Sequence, residues 1–343
     1  MADISVRREG RAGRITLTRP TALNALSSEM AREIAAALEC WRDDADVALV
    51  MIDAEGERAF SAGGDIQEIY EAGRAGRYGY ARSFWAEEYQ LNLAISRYPK
   101  PYVAFCHGFV MGGGVGVSIH GSHRIVGEST KVAMPECAIG LVPDVGGSAL
   151  LAAAPGHLGE YLGLTGHRMG SGDALLADFA DHFIPEEEWP ALKARLIEAG
   201  DADAVEQAEQ APQAGDLTEL RGRIDAAFSA NDLASVVHRL EAEGEWGAEI
   251  LATMQRNSPL SMACTLELVR AARAEPGLDE ALAREFRFVW RSQSKGELTE
   301  GIRAAVIDKD RAPRWKHELR GVPAGEVAAM LAPLGADEWR AAA

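Results

Sequence analysis

Apolar positions along this chain change their period several times, and each change marks an element. Ile4 and Val6 alternate with polar neighbours, and Arg14-Ile15-Thr16-Leu17-Thr18 follows Gly13, so short strands are expected at the start. From Ser27 the spacing becomes helical: Met30, Ile34, Leu38 and Trp41 share one face, with Ser27 or Ser28 placed to cap it. Residues 47–53, apolar up to Ile52, read as a buried strand ending at a turn. Phe60-Ser61-Ala62-Gly63-Gly64-Asp65-Ile66 reads as a tight turn into a helix. Gly73, Gly76 and Gly79, interleaved with Arg74, Arg77 and Arg82, read as a mobile basic loop. A helix is expected over 81–96 and a strand over 102–106. Another helix is expected to open at Met111-Gly112-Gly113-Gly114 and run to His120, with strands at 124–127 and 131–134. Past Pro185 the strand signals fade and Ala, Glu, Leu and Arg recur at helical spacing. The acidic stretch 200–215 reads as a helix with a loose connection, and Leu266, Val269, Phe286, Val289 and Trp290 as helix packing positions.

The pattern predicts a mixed α/β chain, with a strand-rich, glycine-punctuated part over residues 1–190 and a helical part over 191–343. A length of 343 residues and 47% hydrophobic content suit a protein with a real core. Charge narrows the partners: 35 Lys plus Arg against 52 Asp plus Glu gives −17, which argues against nucleic acid but leaves room for an anion in a local basic pocket. Cys40, Cys106, Cys137 and Cys264 form no CxxC pair, so neither zinc nor redox chemistry is expected and the thiols should be reduced and mostly buried. The opening residues lack a signal peptide's apolar core and no apolar run is long enough to span a bilayer. A cytoplasmic location without a membrane partner is therefore expected.

Several common chemistries are missing. There is no GxGxxG fingerprint, no phosphate loop and no GxSxG elbow. His120 and His123 have no carboxylate or cysteine cluster to complete a metal site and read as structural. The positive signal is in the glycines. Gly63-Gly64 and Gly112-Gly113-Gly114 lack Cβ atoms, so their amides can closely approach a ligand. Two amides converging on one oxygen make an oxyanion hole; turns needed for close packing would carry the same residues. A third segment, Met134-Pro135-Glu136-Cys137-Ala138-Ile139-Gly140 followed by Leu141-Val142-Pro143-Asp144-Val145-Gly146-Gly147, sets two carboxylates among apolar neighbours. Burial there would raise a carboxyl pKa toward the range useful for acid/base work.

Three segments taken in order resemble the enoyl-CoA hydratase/isomerase (crotonase) superfamily: Ala59-Phe60-Ser61-Ala62-Gly63-Gly64-Asp65-Ile66, His107-Gly108-Phe109-Val110-Met111-Gly112-Gly113-Gly114 and Met134-Pro135-Glu136. The likeness covers residues 4–190. Within it, Glu87-Glu88-Tyr89, Tyr98-Pro99-Lys100-Pro101-Tyr102, Pro143-Asp144-Val145-Gly146-Gly147 and the distant Glu300-Gly301-Ile302-Arg303-Ala304-Ala305-Val306-Ile307-Asp308-Lys309-Asp310 are most similar to the 3-hydroxyisobutyryl-CoA hydrolase branch. The resemblance implies an α/β fold, a spiral of ββα turns with a helical C-terminal region. It also implies an acyl-CoA substrate whose carbonyl is held by the amides of Gly64 and Gly113. Ala62, Gly63 and Gly112 would contribute to binding coenzyme A, and Asp65 would serve capping and loop geometry. No cofactor is implied, since coenzyme A is part of the substrate, and a homo-oligomer is open.

One departure separates the branches. Hydratases of this superfamily carry a glutamate shortly after the triple glycine and a second at the place of Glu136; here the first place holds Gly116. Asp144 stands where hydratases often have glycine, and the hydrolase branch expects an acid. The implied activity is thioester hydrolysis, with Glu136 as general base or nucleophile and Asp144 binding the acyl 3-hydroxyl or moving a proton. A hydratase or isomerase, and a relative that binds acyl-CoA without turnover, are the alternatives. Phe84, Trp85, Tyr89 and Met111 suit an acyl pocket or a core equally.

Overall fold

The computed structural model describes residues 3–342. Among them run nine strands: β1 (Ile4–Glu9), β2 (Ala12–Leu17), β3 (Leu49–Ala54), β4 (Ala59–Ser61), β5 (Tyr102–Cys106), β6 (Phe109–Met111), β7 (His123–Val126), β8 (Lys131–Ala133) and β9 (His182–Phe183). Six form a sheet in the order β1-β2-β3-β5-β7-β9, in which β1 and β2 pair antiparallel and every later pair is parallel. The other three, β4-β6-β8, form a smaller parallel sheet. Strand β5 and residues 49–52 of β3 read as apolar runs because a parallel strand is covered on both faces.

The period-2 alternation of strands then decides what packs where. Leu49, Met51, Val103, Phe105 and Ile125 form one face of the larger sheet and pack on Trp189, Leu192 and Leu196 of the helix Trp189–Ala199. The helix Ser28–Arg42 begins at Ser27, whose Oγ accepts the Met30 N–H at 3.2 Å, so Ser27 is the cap. Buried Asp53 ties the sheet to its covering helix, accepting from Lys193, Arg14 and Thr16, each at 2.7 Å. Burial alone would raise its pKa. Lys193, Arg14 and Thr16 outweigh that and hold it below the usual carboxylate range.

The chain gathers into two compact units, neither of them continuous in sequence. The first comprises the chain up to Gly64 with Glu87–Ala133 and Arg168–Thr218, and holds all the described strands. The second comprises Asp65–Ala86, Met134–His167 and the chain from Glu219 onward. Its central helix, Pro259–Ala274, starts where Ser258 Oγ accepts the Ser261 N–H at 3.0 Å, with proline in the first turn. Around it pack the helices Gly147–Ala153, Leu158–Thr165, Leu278–Ser292 and Ala324–Leu331.

Several local expectations need correcting. The loop expected over 73–82 is shorter, covering 75–78 between the helices Ile66–Arg74 and Gly79–Ser96. Gly73 serves close packing there, since a Cβ on it would lie 2.5 Å from Gln293 Nε2. The glycine-rich segments carry two short strands, β4 and β6, where the sequence suggested only turns. The helix after the triple glycine ends at Ser118 rather than His120. Cys106, Cys137 and Cys264 are buried and Cys40 is exposed.

Candidate active site

In the first unit, the residues after β4 and β6 come together. Gly63 adopts φ +114° and Gly112 φ +49°, conformations that favour glycine. A Cβ on Gly114 would lie 2.6 Å from the Ser61 carbonyl oxygen, and one on Gly113 would lie 3.4 Å from the Gly64 nitrogen. The close-packing reading of these glycines is met, and the packing sets the Gly64 nitrogen against Gly113. Outside its own helix or strand, neither N–H has a backbone acceptor among the described residues.

A neighbouring loop orders this turn. Ala62 N–H donates to the Leu23 carbonyl at 3.0 Å, and Leu26 N–H donates to the Gly63 carbonyl at 2.9 Å. That loop turns through Leu23 and Asn24 at φ +51° and +52°. Fully buried Asn24 holds it, donating through Nδ2 to the carbonyls of Glu55 and Ala59, both at 2.9 Å.

The structure adds a residue that sequence had not singled out for a role. Glu88 is 3% exposed on the helix Gly79–Ser96, and a Cβ on Gly113 would lie 2.7 Å from its Oε1. A buried carboxyl therefore borders the Gly113 amide. Glu87 beside it is exposed, and only burial distinguishes the two.

In the second unit, Glu136 opens the single helical turn Glu136–Ile139 and is 5% exposed. The turn closes on Gly140 at φ +75°, and Leu141 N–H donates to the Glu136 carbonyl at 3.1 Å. The C-terminal segment presses directly on it. A Cβ on Gly301 would meet the Ile139 carbonyl oxygen at 2.0 Å, and one on Gly140 would meet the Glu297 backbone at 2.7 Å. Ser258 N–H donates to the Cys137 carbonyl at 2.8 Å, while Ser258 Oγ donates to Glu297 at 2.6 Å. Residues 297–301 and 258 thus form a backing for the turn that carries Glu136. Arg303, on the π-type turn Arg303–Ile307 that follows, grips Glu300, Asp308 and Asp310.

Asp144 lies eight positions further along the chain than Glu136 and is 4% exposed. Gly147 N–H donates to its carbonyl at 2.7 Å, closing a turn through Val145 at φ +53° and Gly146 at φ +81°. Asp65 occupies the position before the helix Ile66–Arg74, but its side chain makes no capping hydrogen bond. That corrects the capping expectation. Of the basic residues of the 73–82 segment, Arg82 lies 3.9 Å over the Trp290 ring and donates to its carbonyl. Phe84, Trp85, Tyr89 and Met111 are all buried. No helix among the described residues is long and apolar enough to cross a membrane.

Comparison with known proteins places the whole chain in one family. A family model described as enoyl-CoA hydratase/isomerase matches residues 12–331. A relative from Gallus gallus described as "3-hydroxyisobutyryl-CoA hydrolase, mitochondrial" is 38% identical over 92% of this chain and 84% of its own. A crystal structure titled as an enoyl-CoA hydratase from Rhodobacter sphaeroides 2.4.1 superposes with a TM-score of 0.94, at 50% identity over 98% of this chain and 99% of the other. Another, titled as a carnitinyl-CoA dehydratase from Mycobacterium thermoresistibile, reaches a TM-score of 0.93 at 39% identity over 97% of both chains. The expected cytoplasmic location is overturned, because the curated hydrolase relatives are described as mitochondrial. Free thiols and the want of a spanning segment had supported that expectation, and both suit a reducing organelle interior equally. The α/β fold, the paired glycine turns and the match over most of its length together establish that this chain belongs to the enoyl-CoA hydratase/isomerase (crotonase) family.

Proposed function

We propose that this chain hydrolyses the thioester of 3-hydroxyisobutyryl-CoA to 3-hydroxyisobutyrate and free coenzyme A, a step of valine breakdown. The observation that carries the reading is a pairing: two buried carboxylates, Glu136 and Asp144, with no side chain at Gly116. Hydration of an enoyl group in this family takes two glutamates to hold and activate water, and only one of those places is filled. The printed name of the vertebrate relatives supports the same reading.

In this reading the amides of Gly64 and Gly113 polarise the thioester carbonyl and stabilise the oxyanion that forms on it. One such donor is typically worth about 3 kcal/mol of transition-state stabilisation. Glu136 takes a proton from water as its oxygen adds to the carbonyl carbon. The carbon–sulfur bond then breaks, and the departing thiolate takes that proton. In the nucleophilic variant, Glu136 itself displaces coenzyme A, and water then cleaves the resulting anhydride. A single turnover in ¹⁸O-water tests for the second route, because label enters Glu136 only when water attacks the glutamyl carbonyl of an anhydride. Asp144 receives the acyl 3-hydroxyl, and Ala62, Gly63 and Gly112 line the path of coenzyme A with backbone. The buried Glu88 carboxyl beside Gly113 is a second group that can receive a substrate hydroxyl.

The titles of the two solved structures favour a second reading, addition or removal of water at a carbon–carbon double bond. Thiol release from 3-hydroxyisobutyryl-CoA, measured beside loss of enoyl absorbance from crotonyl-CoA, separates the two. Absorbance loss without thiol release would overturn the hydrolase reading. In the hydrolase reading, Glu136→Gln lowers kcat by about 10²–10⁴ and Asp144→Asn by at least about tenfold, with circular dichroism unchanged. Near-normal thiol release in both variants would sink the assigned roles.

A further inference from the structure

Glu285 has no part in the roles assigned so far. It lies within the helix Leu278–Ser292 and is 0% exposed. A carboxyl at such depth is costly unless donors match it, and here donors are present on both oxygens. Oε2 accepts the Gly146 N–H at 2.8 Å; Oε1 accepts the Ser148 N–H at 2.8 Å and the Ser148 hydroxyl at 2.5 Å. All three donors belong to the residues just after Asp144.

Those residues need holding. Val145 and Gly146 are successive left-handed residues, and a β-branched side chain at positive φ is a genuine outlier because its Cβ crowds the backbone. Such strain persists only where the surroundings over-determine it, and it clusters at functional sites. Among the contacts that hold this turn are the Gly147–Asp144 backbone bond and the Glu285 clamp.

We propose that Glu285 is a positioning residue for Asp144: reaching from the helix Leu278–Ser292, it fixes the left-handed turn that sets the direction of the Asp144 carboxylate. This inference rests on the role given to Asp144 in thioester hydrolysis. Electrostatics supports the link. Burial raises Glu285 to about 8 against the pull of its Ser148 and Gly146 donors, and the charge of Asp144 pushes it the same way as burial. On the helix Pro259–Ala274, Arg273 is paired with Glu160 and Arg270 with the carbonyls of Ala230 and Asn231; on Glu285's own helix Arg284 is paired with Glu275, and His317 is paired with Glu326 of the helix Ala324–Leu331. The charge of Asp144 is among the influences that raise the Glu285 carboxyl.

The test is a kinetic double-mutant cycle on the full chain, read as thiol release from 3-hydroxyisobutyryl-CoA. Glu285→Gln keeps the side chain's shape but turns an NH₂ toward the loop's N–H donors. The expected result is a fall in kcat of at least about tenfold with KM within about twofold, whereas the same change costs less than about twofold in an Asp144→Asn background. A purely structural residue would cost the same factor in both backgrounds, and that result overturns the proposal. So does a Glu285→Gln enzyme as active as the parent. Should Glu285→Gln not fold, Ser148→Ala removes one donor from the clamp. It is expected to lower kcat several-fold only where Asp144 is present, and an equal loss in both backgrounds is again fatal. If Asp144→Asn alone leaves thiol release intact, the role of Asp144 falls and takes this inference with it. If Asp144→Asn is impaired while Glu285→Gln is silent or additive, only the positioning inference falls.

Discussion

At the scale of single residues, Gly113 is the sharpest test of the amide pair. A methyl group there would lie 2.7 Å from Glu88 Oε1, 3.3 Å from Leu26 Cδ1 and 3.4 Å from the Gly64 nitrogen. The closest of these atoms ends a side chain that can move aside, so the fold should survive. The methyl would nonetheless stand beside the two N–H groups and displace a buried carboxyl. Gly113→Ala is therefore expected to keep its circular dichroism spectrum and melt within about 5 °C of the parent, yet lose about 10²-fold or more in kcat. A variant with normal turnover would show that these amides do not hold the reacting oxygen. The glycines were legible in sequence because an absent side chain is itself a signal. Glu88 and Glu285 were not: each lies in a long helix among other charged residues, and helical spacing does not reveal which carboxyls turn inward.

At the scale of elements, the notable pairing joins segments far apart in sequence. The turn Glu136–Ile139 rests on residues 297–301, and the fit depends on glycines on both sides. Gly301→Ala would place a methyl 2.0 Å from the Ile139 carbonyl oxygen, which is backbone and cannot rotate away. Overpacking of this kind costs about 1–3 kcal/mol. A lower melting temperature together with reduced kcat is expected; a variant unchanged in both would show that the C-terminal segment does not brace this turn. The motif at 300–310 was visible in sequence only as a likeness, since neither its charge pattern nor its period says what it touches. The strands β4 and β6 escaped notice for a different reason. Each is three residues long, too short for alternation to register. The loop within 73–82 is shorter than its glycines and arginines suggest, because Gly73 at one end meets Gln293 and Arg82 at the other covers Trp290.

At the scale of the whole molecule, the order of elements in sequence and their grouping in space differ. Strands end at Phe183 and helices follow, as the change of hydrophobic period suggested. Packing nevertheless assigns Asp65–Ala86 and Met134–His167 to the same unit as the chain after Glu219, and returns Arg168–Thr218 to the strand-bearing unit. Hydrophobic period reports what an element is, not which distant segment it packs on, so this interleaving could not be read from sequence. Fragments cut at residue 190 should each lack part of their own core. Expressed separately, 1–190 and 191–343 are expected to show no cooperative thermal transition matching the intact chain; a fragment melting at the parental temperature would refute this. The interleaving also has a temporal side. Glu136 and Asp144 leave the ribosome well before Glu285 and Gly301, and at ~5–20 residues per second the wait is on the order of ten to thirty seconds. During that interval the Asp144 turn has no clamp and the Glu136 turn has no backing. A nascent chain holds its acidic residues before it holds the parts that aim them, so a prematurely terminated product would carry both carboxylates and neither support.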